Sequence, residues 1–440
     1  MITAIINARS SSERLPSKHL MKIGDKSILE HIIYKLKKVK KIDQIYVASG
    51  SKNKNYIYEK FLKKRGFKDI KFFYYNNEND VTGRIYKLSK KIKTKYTILI
   101  SGDCPLIDIN FINRLIVQLT GNKKFDFIYA KKEMIHEGIK LFKTSAWDKV
   151  YKLSKNRKYL EHPGYIVKEQ PERFAILRYN PLAYEKRNNY RISVDTESDL
   201  DFLNYIYFLL KRKNKSFNLN NFLKIKNLSV LNKHVLQRHP SQKKLKVLII
   251  TSKNNKIGLG HFNRSLVIKR EIIENLNSKV DILVFYSKSN LNNYKKKLKT
   301  INNNYDLKII DLHEEYLIEI EKFISNFKKT LIIDKILKNK NFNYLVPNLI
   351  SSIKSKTNIY SGKKFIILNR KIIYNNLINS NSKIKINKLL LIGGAFSLDP
   401  EIENFIQKYK KKLTIIVGPL VKSAELIKLN KKECSIIQNP

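Results

Sequence analysis

The sequence predicts an α/β protein of more than one domain, and three observations carry that prediction. Short β-rich runs alternate with segments whose apolar residues recur at helical spacing, the pattern of a mostly parallel sheet covered by helices. The alternation breaks in a Lys- and Asn-rich stretch, 211–244, and restarts at Leu245. The 440 residues are 42% hydrophobic and 11% aromatic, enough for two or three cores, so a disordered chain is excluded.

The elements follow in order. Strands are expected at 2–7, 44–48, 71–75, 97–101 and 125–129, because each is a compact apolar run bounded by polar residues. Helices are expected at 27–39, 56–64, 82–91 and 109–119, with a closing helix at 199–210. Residues 1–210 form one domain on this reading, and 211–244 a linker with room for one short helix. The second alternation predicts a strand at 246–250, a helix at 261–274 and a strand at 280–285. Further strands are expected at 330–333, 364–368, 388–392, 413–417 and 435–437. Residues 245–385 read as one half of a domain and 386–440 as the start of another half.

Composition narrows the function classes. Lys+Arg is 88 against 37 Asp+Glu, a formal net charge of +51. Alone, that points to nucleic acid or an anionic membrane surface. The excess is mostly lysine spread along the whole chain, and no nucleic-acid-binding module is recognisable. A specific nucleic-acid partner is therefore not expected. Two distant cysteines, Cys104 and Cys434, build neither a disulfide framework nor a zinc site, which fits a reducing cytoplasm. No apolar run approaches the roughly 18 residues of a membrane span, and the short apolar start before Arg9 reads as a buried strand, so no membrane partner is expected.

The first candidate site follows the first strand. In an open α/β sheet, ligands bind beyond the carboxyl ends of strands. The segment Asn7-Ala8-Arg9-Ser10-Ser11-Ser12-Glu13-Arg14-Leu15-Pro16-Ser17-Lys18 begins there. Small residues let backbone N–H groups approach an anion, and Arg9, Arg14 and Lys18 add positive charge, a combination suited to polyphosphate. The same spacing also fits a solvated basic loop. Asp103, in Ser101-Gly102-Asp103-Cys104-Pro105, stands past an apolar strand, where a carboxylate suits Mg²⁺ or merely a turn. Asp195, in Arg191-Ile192-Ser193-Val194-Asp195-Thr196, repeats the layout of strand, Asp, helix. Together the three features favour a nucleotide with Mg²⁺.

These residues carry a family resemblance. Asn7 to Leu20 resembles the signature of sugar cytidylyltransferases of the spore-coat-polysaccharide and acylneuraminate or pseudaminate type. The resemblance continues through Ile28-Leu29-Glu30-His31, Asp80-Val81-Thr82-Gly83-Arg84, Gly102-Asp103-Cys104-Pro105-Leu106, Glu161-His162-Pro163 and Val194-Asp195-Thr196. It implies a GT-A-like nucleotidyltransferase fold and transfer of CMP from CTP to a sialic-acid-like sugar acid, with Mg²⁺ and release of pyrophosphate. By position, Ala8, Arg9, Ser11, Ser12, Arg14 and Lys18 would hold the triphosphate, and Asp103 and Asp195 the Mg²⁺. Asp80 and Arg84 would shape the nucleotide pocket, although a plain helix start explains them as well. Ser11 and Ser17 stand where the family has glycines. The stretch His136-Glu137-Gly138-Ile139-Lys140-Leu141-Phe142 is shorter than the family's sugar-facing strand and lacks its acidic residue. Another sugar, or another nucleotide, is the alternative on the same fold. The resemblance also implies a homodimer.

The second candidate site is Gly258-Leu259-Gly260-His261-Phe262-Asn263-Arg264, between a strand and a helix. Gly258 and Gly260 mark a tight turn whose N–H groups can face a ligand. His261 and Arg264 lie three apart, so both can face one crevice. A structural turn with a capping histidine is the alternative. The motif resembles the start of the UDP-sugar hydrolase of pseudaminate biosynthesis, as do Leu331-Ile332-Ile333-Asp334 and, more loosely, Leu391-Ile392-Gly393-Gly394. The resemblance implies a GT-B-like Rossmann domain with an incomplete second half, a UDP-sugar as ligand and His261 as base. Because the second half is short, low or absent hydrolase activity is the expectation.

Overall fold

The computed structural model describes residues 1–12, 15–130, 135–136, 138–186, 190–232, 245–254, 258–276, 278–301, 305–338, 341–346, 358–361, 367, 388–392, 400–409, 413–417 and 435–438. The chain divides into two compact units, Met1–Leu236 and Gln237–Pro440.

In the first unit, β1 (Ile2–Asn7), the hairpin β2 (Lys22–Ile23) and β3 (Lys26–Ser27), and α1 (Ile28–Leu36) come first. They are followed by β4 (Gln44–Ser49), α2 (Lys52–Lys64), β5 (Lys71–Tyr74), α3 (Val81–Lys91), β6 (Tyr96–Ser101), α4 (Ile109–Gly121) and β7 (Phe127–Ala130). Next are β8 (Lys140–Lys143), α5 (Ala146–Leu153), α6 (Arg157–Glu161), α7 (Ile166–Glu169), β9 (Ile176–Tyr179) and α8 (Glu197–Arg212), then α9 (Leu219–Leu223) and α10 (Leu228–Asn232). The seven-stranded sheet runs β5-β4-β1-β6-β8-β7-β9. Strand β1 is central and pairs parallel with both β4 and β6, in a register that sets Asn7 against Ala48 and Ser101. Three strand ends therefore meet at one carboxyl edge. Strand β8 runs antiparallel to β6 and β7.

The core explains the elements. Ala4, Ile5, Ile6, Ile98 and Ile100 are fully buried, as expected where a parallel sheet is covered on both faces. Phe127, Phe142 and Trp147 pack ring on ring at 4.3 and 4.4 Å. The Trp147 indole N–H donates to Thr97 Oγ1 at 2.8 Å, so the large buried ring leaves no polar atom unmatched. Helix α1 opens on a capping box of Ser27 and Glu30, and α8 on one of Thr196 and Asp199.

Two expectations are corrected here. The expected linker at 211–244 is shorter, because α9 and α10 pack on the first unit through buried Leu219, Phe222, Leu228 and Leu231. Residues 190–194 before Asp195 are not a strand; Val194 N–H donates to Asp103 O at 2.8 Å and Arg191 N–H to Asn232 Oδ1 at 2.8 Å.

The second unit has its own sheet. It comprises β10 (Lys246–Ser252), α11 (Gly260–Leu276), β11 (Lys279–Phe285), α12 (Leu291–Ile301), β12 (Leu307–Asp311), α13 (Glu314–Ile324), β13 (Thr330–Ile333), β14 (Asn343–Val346) and β15 (Ile359–Ser361). All six strands are parallel, in the order β11-β10-β12-β13-β14-β15. A separate three-stranded parallel sheet contains β16 (Lys388–Ile392), β17 (Leu413–Val417) and β18 (Ser435–Gln438), with α14 (Pro400–Tyr409) between its first two strands. Of the strand expected at 364–368 only residue 367 is described, and Gly393 and Gly394 of the later motif lie outside the described residues. Among the described residues, no helix is long and apolar enough to cross a membrane.

Candidate functional site

The carboxyl edge of the first sheet gathers two connected clusters. The loop after β1 is anchored at both ends: Ala8 N–H donates to Ala48 O at 3.2 Å, and Ser17 N–H returns to Ser10 O at 3.1 Å. Ser49 Oγ donates to Ala8 O at 2.5 Å. Ser12 Oγ accepts from Leu15 N–H at 3.4 Å. Arg14 lies outside the described residues. Ser17, one of the two serines replacing a family glycine, has φ 52° and ψ 26°, a left-handed conformation that glycine adopts far more cheaply.

Glu78 is the hub of the first cluster, marked in the sequence only by a polar stretch before α3. Its carboxylate accepts from Ser11 Oγ at 2.9 Å, Ser51 N–H at 3.1 Å and Asn55 Nδ2 at 3.0 Å. Its carbonyl accepts from Arg9 Nη1 at 3.1 Å and Arg84 Nη2 at 3.3 Å. Burial works against its charge, but those hydrogen bonds and the Arg84 charge outweigh it and hold the carboxyl below its ordinary pKa. Arg84 is fully buried and also donates to Asn7 Oδ1 at 2.8 Å. Burial lowers its pKa to about 10. Asp80 is used as a helix cap, its carboxylate accepting from Gly83 N–H at 2.7 Å and from the Tyr75 hydroxyl at 3.3 Å.

Asn7 links this cluster to the second. Its carbonyl accepts from Gly102 N–H at 3.0 Å. A Cβ on Gly102 would come within 2.5 Å of that carbonyl, so only glycine fits the turn that delivers Asp103. The second cluster is built on Lys18. Its ammonium donates to Asp103 Oδ2 at 2.6 Å and to Asp195 Oδ1 at 2.9 Å. Ser101 Oγ holds Asp103 Oδ1 at 2.6 Å, and Arg191 Nη2 holds Asp195 Oδ2 at 2.8 Å. Arg191 is itself gripped by Asp199 at 2.8 and 2.9 Å. Burial works against each charge. The carboxylates nevertheless raise the pKa of Lys18, and Lys18 lowers that of Asp103. The adjacent His19, buried against Tyr58, is driven to about 3 by burial and by Lys18.

Three motif residues far apart in sequence thus converge. Two carboxylates from separate elements close on one ammonium, and every donor oxygen is hard. That set fits Mg²⁺, which takes one or two carboxylates and leaves its other positions to water and phosphate oxygens. Among the described residues no group of three or more Asp, Glu, His or Cys forms a protein-only metal cage. Beside the pair opens a cleft of about 320 Å³, lined by Asp103, Asp195, Arg191, His136, Ile107 and Ile139 among others.

The second unit has a strand-end site of its own. Gly258 has φ 82°, which requires glycine; Gly260 is the first residue of α11. His261 Nδ1 donates to Asp311 Oδ1 at 2.7 Å. Arg264 grips Asp311 with two nitrogens, at 2.8 and 2.5 Å, and reaches Asp334 Oδ2 at 2.5 Å. Asp311 is fully buried; burial opposes its charge, and Arg264 and His261 keep its pKa below the ordinary value. Asp334 closes the motif noted in the sequence. Asp311 was missed because Lys308 interrupts the apolar run of β12. Lys308 is itself buried, with its ammonium on the carbonyls of Tyr305 and Lys328.

An anchored cationic loop facing converging carboxylates at a parallel sheet edge is suited to phosphate chemistry, and the class this fold and site define is the nucleotidyltransferases. The family model described as cytidylyltransferase matches residues 3–236, just over half the chain. The chain is 32% identical over 198 residues to an uncharacterized protein of Methanocaldococcus jannaschii, covering 45% of this chain and 79% of that one. It is 21% identical over 211 residues to the spore coat polysaccharide biosynthesis protein SpsF of Bacillus subtilis, covering 47% and 86%. It is 31% identical over 134 residues to the 3-deoxy-manno-octulosonate cytidylyltransferase of Fusobacterium nucleatum, covering 30% and 52%. The chain belongs to the cytidylyltransferase family and is a CTP-using nucleotidyltransferase.

Proposed function

We propose that the first unit transfers CMP from CTP to a sialic-acid-like nonulosonic acid of the pseudaminate or legionaminate type, releasing pyrophosphate for surface-glycan synthesis. The observation that carries this reading is the bridge from Lys18 to Asp103 and Asp195 at the mouth of the cleft. The anomeric hydroxyl of the sugar acid attacks the α-phosphorus; one P–O bond forms, the bond to the β-phosphate oxygen breaks, and the hydroxyl proton passes to solvent. Such a transfer needs positioning and charge neutralisation more than covalent help. Arg9, Ser11, Ser12 and the backbone from Ala8 onward hold the triphosphate, with Arg84 and Glu78 fixing the loop from below. Lys18 meets the phosphates as a point charge. Asp103 and Asp195 hold Mg²⁺, which when bound supplies further neutralisation of the phosphate charge.

Two considerations support the sugar class. One relative named above is a cytidylyltransferase for the eight-carbon sugar acid in its name. The second unit resembles a hydrolase from a neighbouring step of nonulosonate synthesis. There, the bond from His261 to Asp311 supports a UDP-sugar site: an ionised Asp311 fixes the proton on Nδ1 and leaves Nε2 as the accepting base. Incubating the full chain with CTP, Mg²⁺ and a panel of N-acetylneuraminate, legionaminate, pseudaminate and 3-deoxy-manno-octulosonate should release pyrophosphate with the nonulosonic acids. Release with the octulosonate alone rejects the proposed sugar class, and release with none rejects sugar-acid activation. On the second unit, UDP release from a UDP-sugar should be low or absent, and any release should be lost in His261→Ala.

A further inference from the structure

Among its described residues the first unit buries three histidines, and their surroundings differ in one respect. His19 has the Tyr58 hydroxyl at 3.1 Å and His31 has the Ile23 carbonyl at 2.9 Å. His136 is 3% exposed, and neither of its ring nitrogens has a hydrogen-bond partner among the described residues. A buried polar group left unmatched is costly, so it calls for a physical account.

Its location supplies one. His136 lines the cleft beside Asp103 and Asp195. Strand β8 pairs antiparallel with β6, setting Lys140 against Leu99. Continuing that register brings Gly138 beside Ser101, where a Cβ would lie 3.3 Å from the serine Cβ, and carries His136 to the level of Asp103. The segment is pinned by Ile135 N–H on Glu185 O at 2.9 Å and by Ile139 N–H on His136 O at 3.0 Å. The ring stacks on Phe111 at 5.7 Å with 26° between planes. Burial, and to a lesser degree the charge of Lys35, push its pKa down to about 3. The imidazole is therefore uncharged at neutral pH and offers one N–H donor and one lone-pair acceptor.

We propose that His136 is the residue that selects the acceptor sugar, offering one donor and one acceptor to hydroxyl or amide groups of the sugar acid in the cleft. The inference rests on the CMP-transfer reading above. Both nitrogens are shielded in the ligand-free chain, so the ring turns about its Cα–Cβ bond toward the cleft as the sugar enters, a side-chain adjustment common on binding. An uncharged imidazole contributes no ion pair, so it reads the neutral substituents of the sugar rather than its carboxylate.

The test uses the full chain, CTP, Mg²⁺ and whichever sugar acid of the panel turns over. His136→Phe keeps the ring and its stack and removes both nitrogens. It should raise the sugar KM about tenfold or more while changing the CTP KM less than about twofold. His136→Asn, which restores a donor and an acceptor, should recover part of the loss and covers the case in which the Phe variant does not fold. In the wild type the sugar KM should be flat from about pH 5.5 to 8. A merely structural histidine predicts the opposite: a folded Phe variant with a higher Tm and unchanged sugar KM, which overturns the proposal while CMP transfer stands. Absence of turnover by the wild type with every sugar acid removes the transfer reading and this inference with it.

Discussion

The two units place the same kind of cluster at the carboxyl edge of a parallel sheet. In each, a cation following the unit's first strand spans two aspartates. In the first unit Lys18 bridges Asp103 and Asp195. In the second Arg264 bridges Asp311 and Asp334. The difference is the head group. An ammonium is a compact point charge on a flexible stem, able to swing onto a phosphate and leave its two carboxylates to a metal ion. A guanidinium fork saturates one carboxylate and holds it rigidly. On the proposed function the first cluster exchanges partners, and the second stays fixed and orients His261.

Variants can break that comparison, beginning with the largest effect. Lys18→Met should lower kcat/KM for CTP by about 10³-fold, because on the proposed function it removes a phosphate contact, and it leaves Asp103 without its cation and Asp195 with Arg191 alone. Steady-state pyrophosphate release measures it. A loss of stability with little loss of turnover would make Lys18 a strut like Arg264. Arg264→Met should destabilise the second unit by about 3 kcal/mol, since it strips the fork from the fully buried Asp311. Hydrogen exchange across β12 reads this directly, and CMP transfer should be unchanged. Arg264→Lys should recover less than half, because an ammonium cannot form the two-nitrogen grip.

Smaller effects sharpen the account of the phosphate loop. Glu78→Gln should raise the CTP KM several-fold at nearly constant kcat, since the amide keeps the shape of the hub while losing charge-assisted bonds to Ser11, Ser51 and Asn55. An unchanged KM would remove Glu78 from the nucleotide site. Ser17→Gly should stabilise the first unit by about 0.5–1 kcal/mol, because φ at this position is 52°. A small rise in Tm is the expected readout.

The strands and helices that build the first site were legible because central parallel strands are unbroken apolar runs. The expected strands at 2–7, 44–48 and 97–101 match β1, β4 and β6 within a residue. Asp103 and Asp195 were legible as motif residues. Their meeting on Lys18 was not a spacing signal, because it joins residues 85 and 177 positions apart. Strands β8 and β9 were not among the expected strands because charged residues interrupt their short apolar runs, Lys140 and Lys143 in β8 and Arg178 in β9. Glu78 and Arg191 act through side-chain bonds across elements, which leave no periodic trace. Helices α9 and α10 were hidden by the Lys and Asn residues around them, although Phe222 and Leu228 lie in the core.

The central claim is that Asp103 and Asp195 work as one site. Kinetics of Asp103→Asn, Asp195→Asn and the double variant test it most directly, as kcat/KM for CTP at saturating Mg²⁺ and sugar acid. Carboxylates that hold one ion act as a unit, so each single variant should lose about 10²-fold or more and the double variant little beyond that. Losses that multiply in the double variant, or single variants that turn over like the wild type, would contradict the account.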